Sequence, residues 1–396
     1  MNKKPADQAI ILAAGKGERL GVLTSMRPKV MLPIGNKPII EYVVEALAAN
    51  GILDIILVVG YQRHLIQDYL GSGERFGVNL RYVVQDRQLG TGHALSTAEI
   101  FAAQRFLVLP GDNIVNATAI RDLIHARENA ILITDQARGE QYGVVDVQHG
   151  KALAIVEKPQ GQSFTWGNTG AYLLTNQIFG YLKQELELPT AINHMMNDGV
   201  QVIACETTSG WLDAVYPWDL MKVNGLALAQ LKGDRRGECE PGVTLIGEVR
   251  IDPGSMIRAN SYIVGPTVIG EGCEIGPGAV VFPYTSLGKN VVIESFTQLR
   301  NCIISESVHI GSHSHLTDTF VGEASSIGPY FTATSIDTTV SVGSNSTVVH
   351  TGSVISDNVE IGARVSLSPG TTIGPNARIK DNKFIQQDIP ESAYVV

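Results

Sequence analysis

The residues that could do chemistry are concentrated early in the chain. The stretch LAAGKGERLGVLTSMRPKVMLPIGNKP, Leu12 to Pro38, carries Lys16, Arg19, Arg27, Lys29 and Lys37 in a protein whose formal net charge is −9. An apolar strand-like run, QAIIL, leads into it. Glycines at 15 and 17 let backbone N–H groups approach phosphate oxygens, while Arg19 and Lys29 add positive charge. This composition suits a polyphosphate. The spacing is neither a Walker loop nor a G-x-G-x-x-G fingerprint, and taken alone the loop could be a solvated basic surface.

Such a loop needs a scaffold. Up to about residue 235, apolar runs (QAIIL, DIILVVG, LRYVVQ, RFLVLPGD) alternate with helical patterns such as PIIEYVVEALAANG, closed by Asn50-Gly51. That alternation predicts right-handed βαβ units in a doubly wound sheet, which binds ligands at the carboxyl ends of its strands. The basic loop sits at such an end.

The second half follows another period. Aliphatic residues recur every six positions from Ile251 through Ile257 and Ile263 to Ile293 and Leu299, resume at Ile304, Ile310 and Leu316, and return from Ile355 to Ile385. Glycine often follows the aliphatic position, as in Ile275-Gly276 and Ile361-Gly362. A left-handed parallel β-helix, with three short strands per coil, has this period; turns of a β-sandwich would break it. The fold class expected is α/β: a Rossmann-like doubly wound domain over residues 1–235, then a left-handed β-helix of hexapeptide repeats over 236–396, with the boundary near Gly233–Pro241. The segment HIGSHSHLTDTFVGE, His309 to Glu323, reads as an interruption of the hexad frame.

The bulk numbers narrow the classes further. The chain has 396 residues, of which 44% are hydrophobic, and a mean hydropathy of +0.09, as expected of a soluble globular protein. The acidic balance argues against nucleic-acid or membrane partners. Cys205, Cys239, Cys273 and Cys302 form no C-x-x-C pair and read as reduced thiols, so a cytoplasmic location is expected.

The ordered string G-x-G-x-R-L, Pro28-Lys29 and Lys37-Pro38, followed by LGTGHALSTAE, LPGDN, YGVV, VEKP, NTGAY and GWLDAVYPWDL, resembles the sugar-1-phosphate nucleotidyltransferases across the whole first domain. With the β-helix behind it, the chain resembles above all the archaeal-type UDP-N-acetylglucosamine pyrophosphorylases that carry a fused acetyltransferase domain. The resemblance implies a Mg²⁺-dependent reaction between UTP or dTTP and a sugar 1-phosphate, N-acetylglucosamine 1-phosphate or glucose 1-phosphate. Two anions must meet there, so cations must neutralise and align them.

Carried onto this sequence, the resemblance gives Arg19 the β- and γ-phosphates and Lys29 the α-phosphate. It makes Asp112 and Asp213 the magnesium ligands, with Asn224 of the Val223-Asn224 step as the alternative to Asp213. Leu12, Ala13, Gly15, Gln85, Gly90 and Thr91 would line the nucleotide, with Gln85 on a pyrimidine edge. Gly143, Glu157, Asn168 and Thr169 would hold sugar hydroxyls, and Lys158 the sugar phosphate. His93 reads as a packed loop histidine. Glu18 departs from the Thr or Ser usual in the family.

For the second half the resemblance implies His315 as general base of an acetyltransferase using acetyl-CoA. A zinc reading of His309, His313 and His315 is the alternative chemistry. Against acetyl transfer stand the replacement of the family's asparagine by Ser335 and the absence of Lys or Arg between Arg300 and Arg364; two polyanions would have to be bound with few cations. The β-helix then serves as an oligomerisation platform, a trimer being the expected assembly. A non-catalytic nucleotide-sensing scaffold is the rival from another class.

Overall fold

The computed structural model describes residues 6–126, 128–135, 143–157, 166–207, 211–342 and 345–396. The chain divides into two compact units. The first comprises Met1–Gly17, Arg27–Met31 and Pro38–Asp213; the second comprises Glu18–Met26, Leu32–Lys37 and Ala214–Val396.

The first unit is built on a nine-stranded sheet in the spatial order 79–84, 54–59, 8–13, 105–110, 166–175, 129–134, 202–206, 151–156, 144–148. The strands Gln8–Ala13, Asp54–Val59, Asn79–Val84 and Arg105–Pro110 are mutually parallel, as the βαβ reading requires. Trp166–Thr175 runs antiparallel between Arg105–Pro110 and Asn129–Thr134, a departure from a purely parallel sheet that strand periodicity alone does not reveal. Both faces are covered. Ile11, Leu57 and Leu109 pack into one apolar layer, and Ile10, Ile56 and Val108 into the other, so the strands read as continuous apolar runs. Helix Ile39–Ala49 ends as expected: the Asn50 side chain donates to the Ala46 carbonyl at 2.8 Å, and Gly51 takes φ 74°.

In the second unit every third strand stacks on the next, giving three parallel sheets of 8, 9 and 8 strands, the cross-section of a left-handed β-helix. Ile251, Ile269 and Leu287 stand in register one coil apart, and the inward column is fully buried, each such side chain contributing about 2 kcal/mol. The glycines after the aliphatic positions answer to close approach between coils. A Cβ at Gly276 would lie 2.7 Å from the Ser295 nitrogen, and one at Gly311 2.5 Å from the Pro329 nitrogen.

The segment His309–Glu323 does not interrupt the helix, contrary to the sequence expectation. Leu299 stacks on Leu316, and Ile304 on Val321, in unbroken parallel register. The hexad count slips only because the corners 299–304 and 316–321 are one residue short. The interruption comes later: Val321 pairs with Ile355, and a hairpin of Ile336–Val342 and Asn345–Thr351 is looped out between them. His350 lies 2.8 Å from Asp337 across this hairpin and 3.4 Å from Asp318 in the coil.

The second compact unit takes in the chain from Ala214 onward, for a physical reason. Helix Asp219–Ala229 is tied into the second unit by Asn224. Its side-chain oxygen accepts from the Gly35 N–H at 2.8 Å and the Ser286 hydroxyl at 3.1 Å, while its nitrogen donates to the Tyr284 carbonyl at 2.9 Å. Asn36 donates to the Leu287 carbonyl, and Ser356 to that of Val22 at 3.1 Å. Asn224 is 0% exposed, and leaving its partners unsatisfied is costly. Asn224→Leu should therefore destabilise the protein by about 3 kcal/mol in denaturant unfolding, whereas Asn358→Ala at an exposed corner should cost about 1 kcal/mol, most of it from the left-handed backbone (φ 57°) that asparagine tolerates better than alanine.

Candidate active site

At the carboxyl end of the central strands, the chain after Ala13 is pinned on both sides. Gly111 N–H donates to the Leu12 carbonyl at 2.9 Å, and Tyr61 N–H to that of Ala14 at 3.1 Å. Ala13 is buried and Leu12 half-buried; Gly15 is exposed at the start of the loop. Gly17 (φ 81°) must be glycine, because a Cβ there would lie 2.7 Å from the Lys29 Cβ. Lys29 thus packs directly over the loop.

Three charges converge beside it. The Lys29 Nζ is 2.7 Å from Asp112 Oδ2 and 2.5 Å from Asp213 Oδ1, with the lysine side chain only 10% exposed. Asp112 follows the strand Arg105–Pro110. Asp213 arrives from far along the chain because Trp211–Asp213 pairs antiparallel with Asn113–Val115, setting Asp213 opposite Asn113. Burial works against the ammonium charge, but the two carboxylates hold its pKa above the ordinary lysine value. The ammonium marks a point where two carboxylates meet one positive charge.

Asn224, the alternative ligand, lies in the second unit, where its side-chain oxygen accepts two hydrogen bonds.

A second cluster holds the loop after the strand Asn79–Val84. Gln85 is 3% exposed; its Nε2 lies 3.2 Å from the Gly90 carbonyl and 2.9 Å from His93 Nδ1. Gly90 (φ 137°) abuts Leu186 and Glu187, where a Cβ would sit 2.5 Å from the Leu186 carbonyl. The Thr91 hydroxyl donates to Glu187 Oε2 at 2.9 Å and accepts from Leu188 N–H at 3.0 Å. Thr91 therefore locks its loop onto helix Leu188–Asn197. Glu187 is the partner that sequence reasoning missed; within the run QELELPTAIN no spacing signals it.

A third cluster forms around a bulge where Trp166–Thr175 meets Asn129–Thr134. Asn168 donates to the Tyr172 hydroxyl at 2.8 Å and accepts from Gly170 N–H at 2.9 Å. The Thr169 hydroxyl donates to the Leu132 carbonyl at 2.7 Å and accepts from Ala171 N–H at 3.2 Å; it is buried and shapes the bulge. Asn113 Nδ2 donates to the Thr169 carbonyl at 3.0 Å, joining the bulge to the carboxylate strand. Gly143 accepts from Asn168 N–H at 2.8 Å, and a Cβ on it would strike Glu157, which is exposed. Burial raises the Tyr172 pKa, and the Glu157 charge adds to the effect. Lys158 lies outside the described residues.

Arg19 belongs to the second unit and is exposed there, as is Glu18. His315 sits half-buried on an outer face of the β-helix, in register between Gln298 and Thr332. Nearby, Thr317 donates to Ser335 at 3.2 Å, and Arg300 stacks on Phe282, 3.8 Å from the ring centre. The three histidines do not converge as a zinc site would need. His309 Nε2 faces Glu294 at 3.0 Å, and His313 stacks on Tyr330 at 5.0 Å. Among the described residues no group of three or more His, Cys, Asp or Glu side chains could hold a metal.

A glycine-rich loop and paired carboxylates at the strand ends of a doubly wound sheet, joined to hexapeptide coils, define a transferase of the nucleotidyl class. Comparison with known proteins agrees: residues 8–229 match the Nucleotidyl transferase family, and the chain belongs to it. Residues 240–283 match the bacterial transferase hexapeptide (six repeats), and 263–347 the GMPPB C-terminal domain. The chain is 34% identical to a bifunctional protein GlmU of Methanococcus maripaludis, over 98% of this chain and 96% of that one. It is 32% identical to a bifunctional sugar-1-phosphate nucleotidylyltransferase/acetyltransferase of Sulfurisphaera tokodaii, over 96% and 98%. Among solved structures, a Bacillus anthracis protein described as a glucose-1-phosphate thymidylyltransferase, in complex with a sucrose, superposes with a TM-score of 0.53 at 31% identity, covering 58% of this chain and 97% of its own.

The charge triad has a direct consequence for stability. Lys29→Met leaves two carboxylates facing each other without a cation and should destabilise the protein by about 2 kcal/mol in metal-free buffer. Adding Asp112→Asn should recover part of that loss, because one of the two repelling charges is gone. Thermal unfolding of the two single variants and the double variant measures it; strictly additive losses would show that the three charges do not interact.

Proposed function

We propose that this protein makes a nucleotide sugar and pyrophosphate from UTP or dTTP and a sugar 1-phosphate, with N-acetylglucosamine 1-phosphate first and glucose 1-phosphate next. The observation that carries the reading is the convergence of Asp112 and Asp213 on one positive charge at the mouth of the glycine loop. Two carboxylates that leave room for water suit Mg²⁺, and these two would hold it. The ion would supply charge neutralisation at the triphosphate. A sugar 1-phosphate oxygen attacks the α-phosphorus, the bond to the bridging oxygen breaks, and pyrophosphate leaves with its electron pair.

Lys29, freed from its carboxylates, stabilises charge at the α-phosphate, and Arg19 takes the β- and γ-phosphates. Leu12, Ala13 and Gly15 form the floor under the nucleotide, Gln85 and Gly90 meet the base, and Glu157, Asn168 and the Gly143 backbone hold the sugar, with Lys158 on its phosphate. The intact Lys29, Asp112 and Asp213 triad argues against the scaffold reading, in which chemistry would be lost. Substrates of this kind fit a cytoplasmic enzyme, and the β-helix fits a trimer.

A second reading, acetyl transfer from acetyl-CoA to an amino-sugar phosphate with His315 as base, rests on relatives described as bifunctional along the full chain. His315 stands on an open face suited to a general base. The stretch without Lys or Arg between Arg300 and Arg364 limits how it could hold two anions.

Pyrophosphate release, screened with UTP and dTTP against hexose and hexosamine 1-phosphates, tests the first reading. Asp112→Asn should lower kcat about 100-fold or more in a folded protein. Silence of the wild type with every pair would overturn the proposal. For the second reading, free CoA from glucosamine 1-phosphate and acetyl-CoA should vanish in His315→Ala while nucleotidyl transfer persists; CoA release unchanged in that variant would remove His315 from the chemistry.

A further inference from the structure

The Gln85 carboxamide has a fixed polarity, and a neighbouring histidine sets it. Gln85 extends the strand Asn79–Val84, its N–H donating to the Val59 carbonyl at 2.8 Å, and its side chain is almost fully buried. Two polar atoms lie on one side of the carboxamide: the Gly90 carbonyl oxygen at 3.2 Å and His93 Nδ1 at 2.9 Å. A carbonyl oxygen can only accept, so the nitrogen end must face Gly90. Its second proton then points at His93, whose Nδ1 must carry a lone pair and whose proton must sit on Nε2. The opposite orientation would set Oε1 against the Gly90 carbonyl, acceptor against acceptor. Oε1 is thereby turned away from both partners and presents an acceptor.

His93 is itself held firmly. It lies in helix Thr91–Ser96, its N–H donates to the Leu186 carbonyl at 3.0 Å, and its carbonyl accepts from the Ser96 hydroxyl at 2.8 Å. The same turn at Leu186–Leu188 holds Gly90 and Thr91. Ring and carboxamide are thus referred to one rigid support.

We propose that His93 is a specificity-determining positioning residue: by accepting from Gln85 it fixes the carboxamide so that Oε1 reads the N3–H of uracil or thymine and rejects cytosine, whose N3 is a lone pair. The inference rests on the reading of Gln85 as the residue that meets the base. It gives a helix-borne histidine a role in selection with no part in proton transfer, and it predicts preference for UTP and dTTP over CTP.

Two measurements test it. Long-range ¹H–¹⁵N NMR of the wild-type protein should show His93 protonated on Nε2 and bare on Nδ1; the Nδ1–H tautomer would overturn the proposal whatever the enzyme's activity. In the second, kcat/KM for UTP and CTP is compared among wild type, His93→Asn and His93→Gln, with folding checked by melting. Asparagine can keep an acceptor near the Nδ1 position and should hold the UTP/CTP ratio within about threefold, while glutamine, whose polar end lies further out, should lose about tenfold, mainly through KM for UTP. A ratio in His93→Gln equal to that of wild type overturns the role. A wild type that uses neither UTP nor dTTP is a failure of the enzyme reading instead, and the tautomer measurement still decides the lock.

Discussion

A buried ammonium held between two carboxylates is the constraint around which the first unit is arranged. Lys29 can sit there only if Gly17 has no side chain beneath it, if Asp112 follows the strand Arg105–Pro110, and if a late segment returns to lay Asp213 opposite Asn113. Each condition is a backbone matter. The antiparallel pair 211–213 with 113–115 joins parts of the chain about a hundred residues apart, and the bulge at Asn168–Gly170 is linked to the same place through Asn113. A cation-rich loop alone is a surface. Two carboxylates brought to its edge fix one positive charge there.

The second unit is governed by how closely coils of backbone stack. Inward positions take Ile, Leu or Val because the axis admits one aliphatic residue per strand, and the position after them takes glycine wherever the next coil lies too near for a Cβ. Corners are more forgiving of length: two of them lose a residue without disturbing the ladder. The hairpin between Val321 and Ile355 extends this tolerance to an inserted arm, since a closed coil requires only that its strands rejoin in register.

Much of this was legible in the sequence. Apolar runs spaced by helical patterns identify a sheet covered on both faces, and a period of six identifies the β-helix, because both follow from side-chain burial that repeats locally. The antiparallel strand Trp166–Thr175 was not legible, since a fully buried strand looks the same in either direction. The frame at His309–Glu323 was misread because a shortened corner mimics a break. In the site, motif order singled out Lys29, Asp112 and Asp213. It could not tell that the Asn224 carbonyl accepts from Gly35 and Ser286, that the Thr91 hydroxyl links the Glu187 carboxylate to Leu188 N–H, or that the Thr169 hydroxyl donates to the Leu132 carbonyl, because hydrogen-bond partners lie far away in sequence. Glu187 escaped for the same reason.

Charge placement also separates the chemistry of the two halves. The reaction proposed for the first brings a triphosphate and a phosphate monoester together, and there a lysine whose charge is secured by carboxylates stands ready beside a loop rich in further cations. On the outer face around His315 the neighbours in register are Gln298 and Thr332. The nearest basic residue on the same strand run, Arg300, is stacked on Phe282. A histidine can take a proton from an uncharged amine without help, but holding a phosphorylated acceptor and a coenzyme there needs positive charge from elsewhere. Within this chain the next cation toward that face is Arg364, 6.0 Å from the centre of the Tyr330 ring on which His313 stacks. The proposed second activity thus asks for more positive charge than the His315 face itself carries, whereas the charges that define the first site, Lys29, Asp112 and Asp213, meet within one unit of one chain.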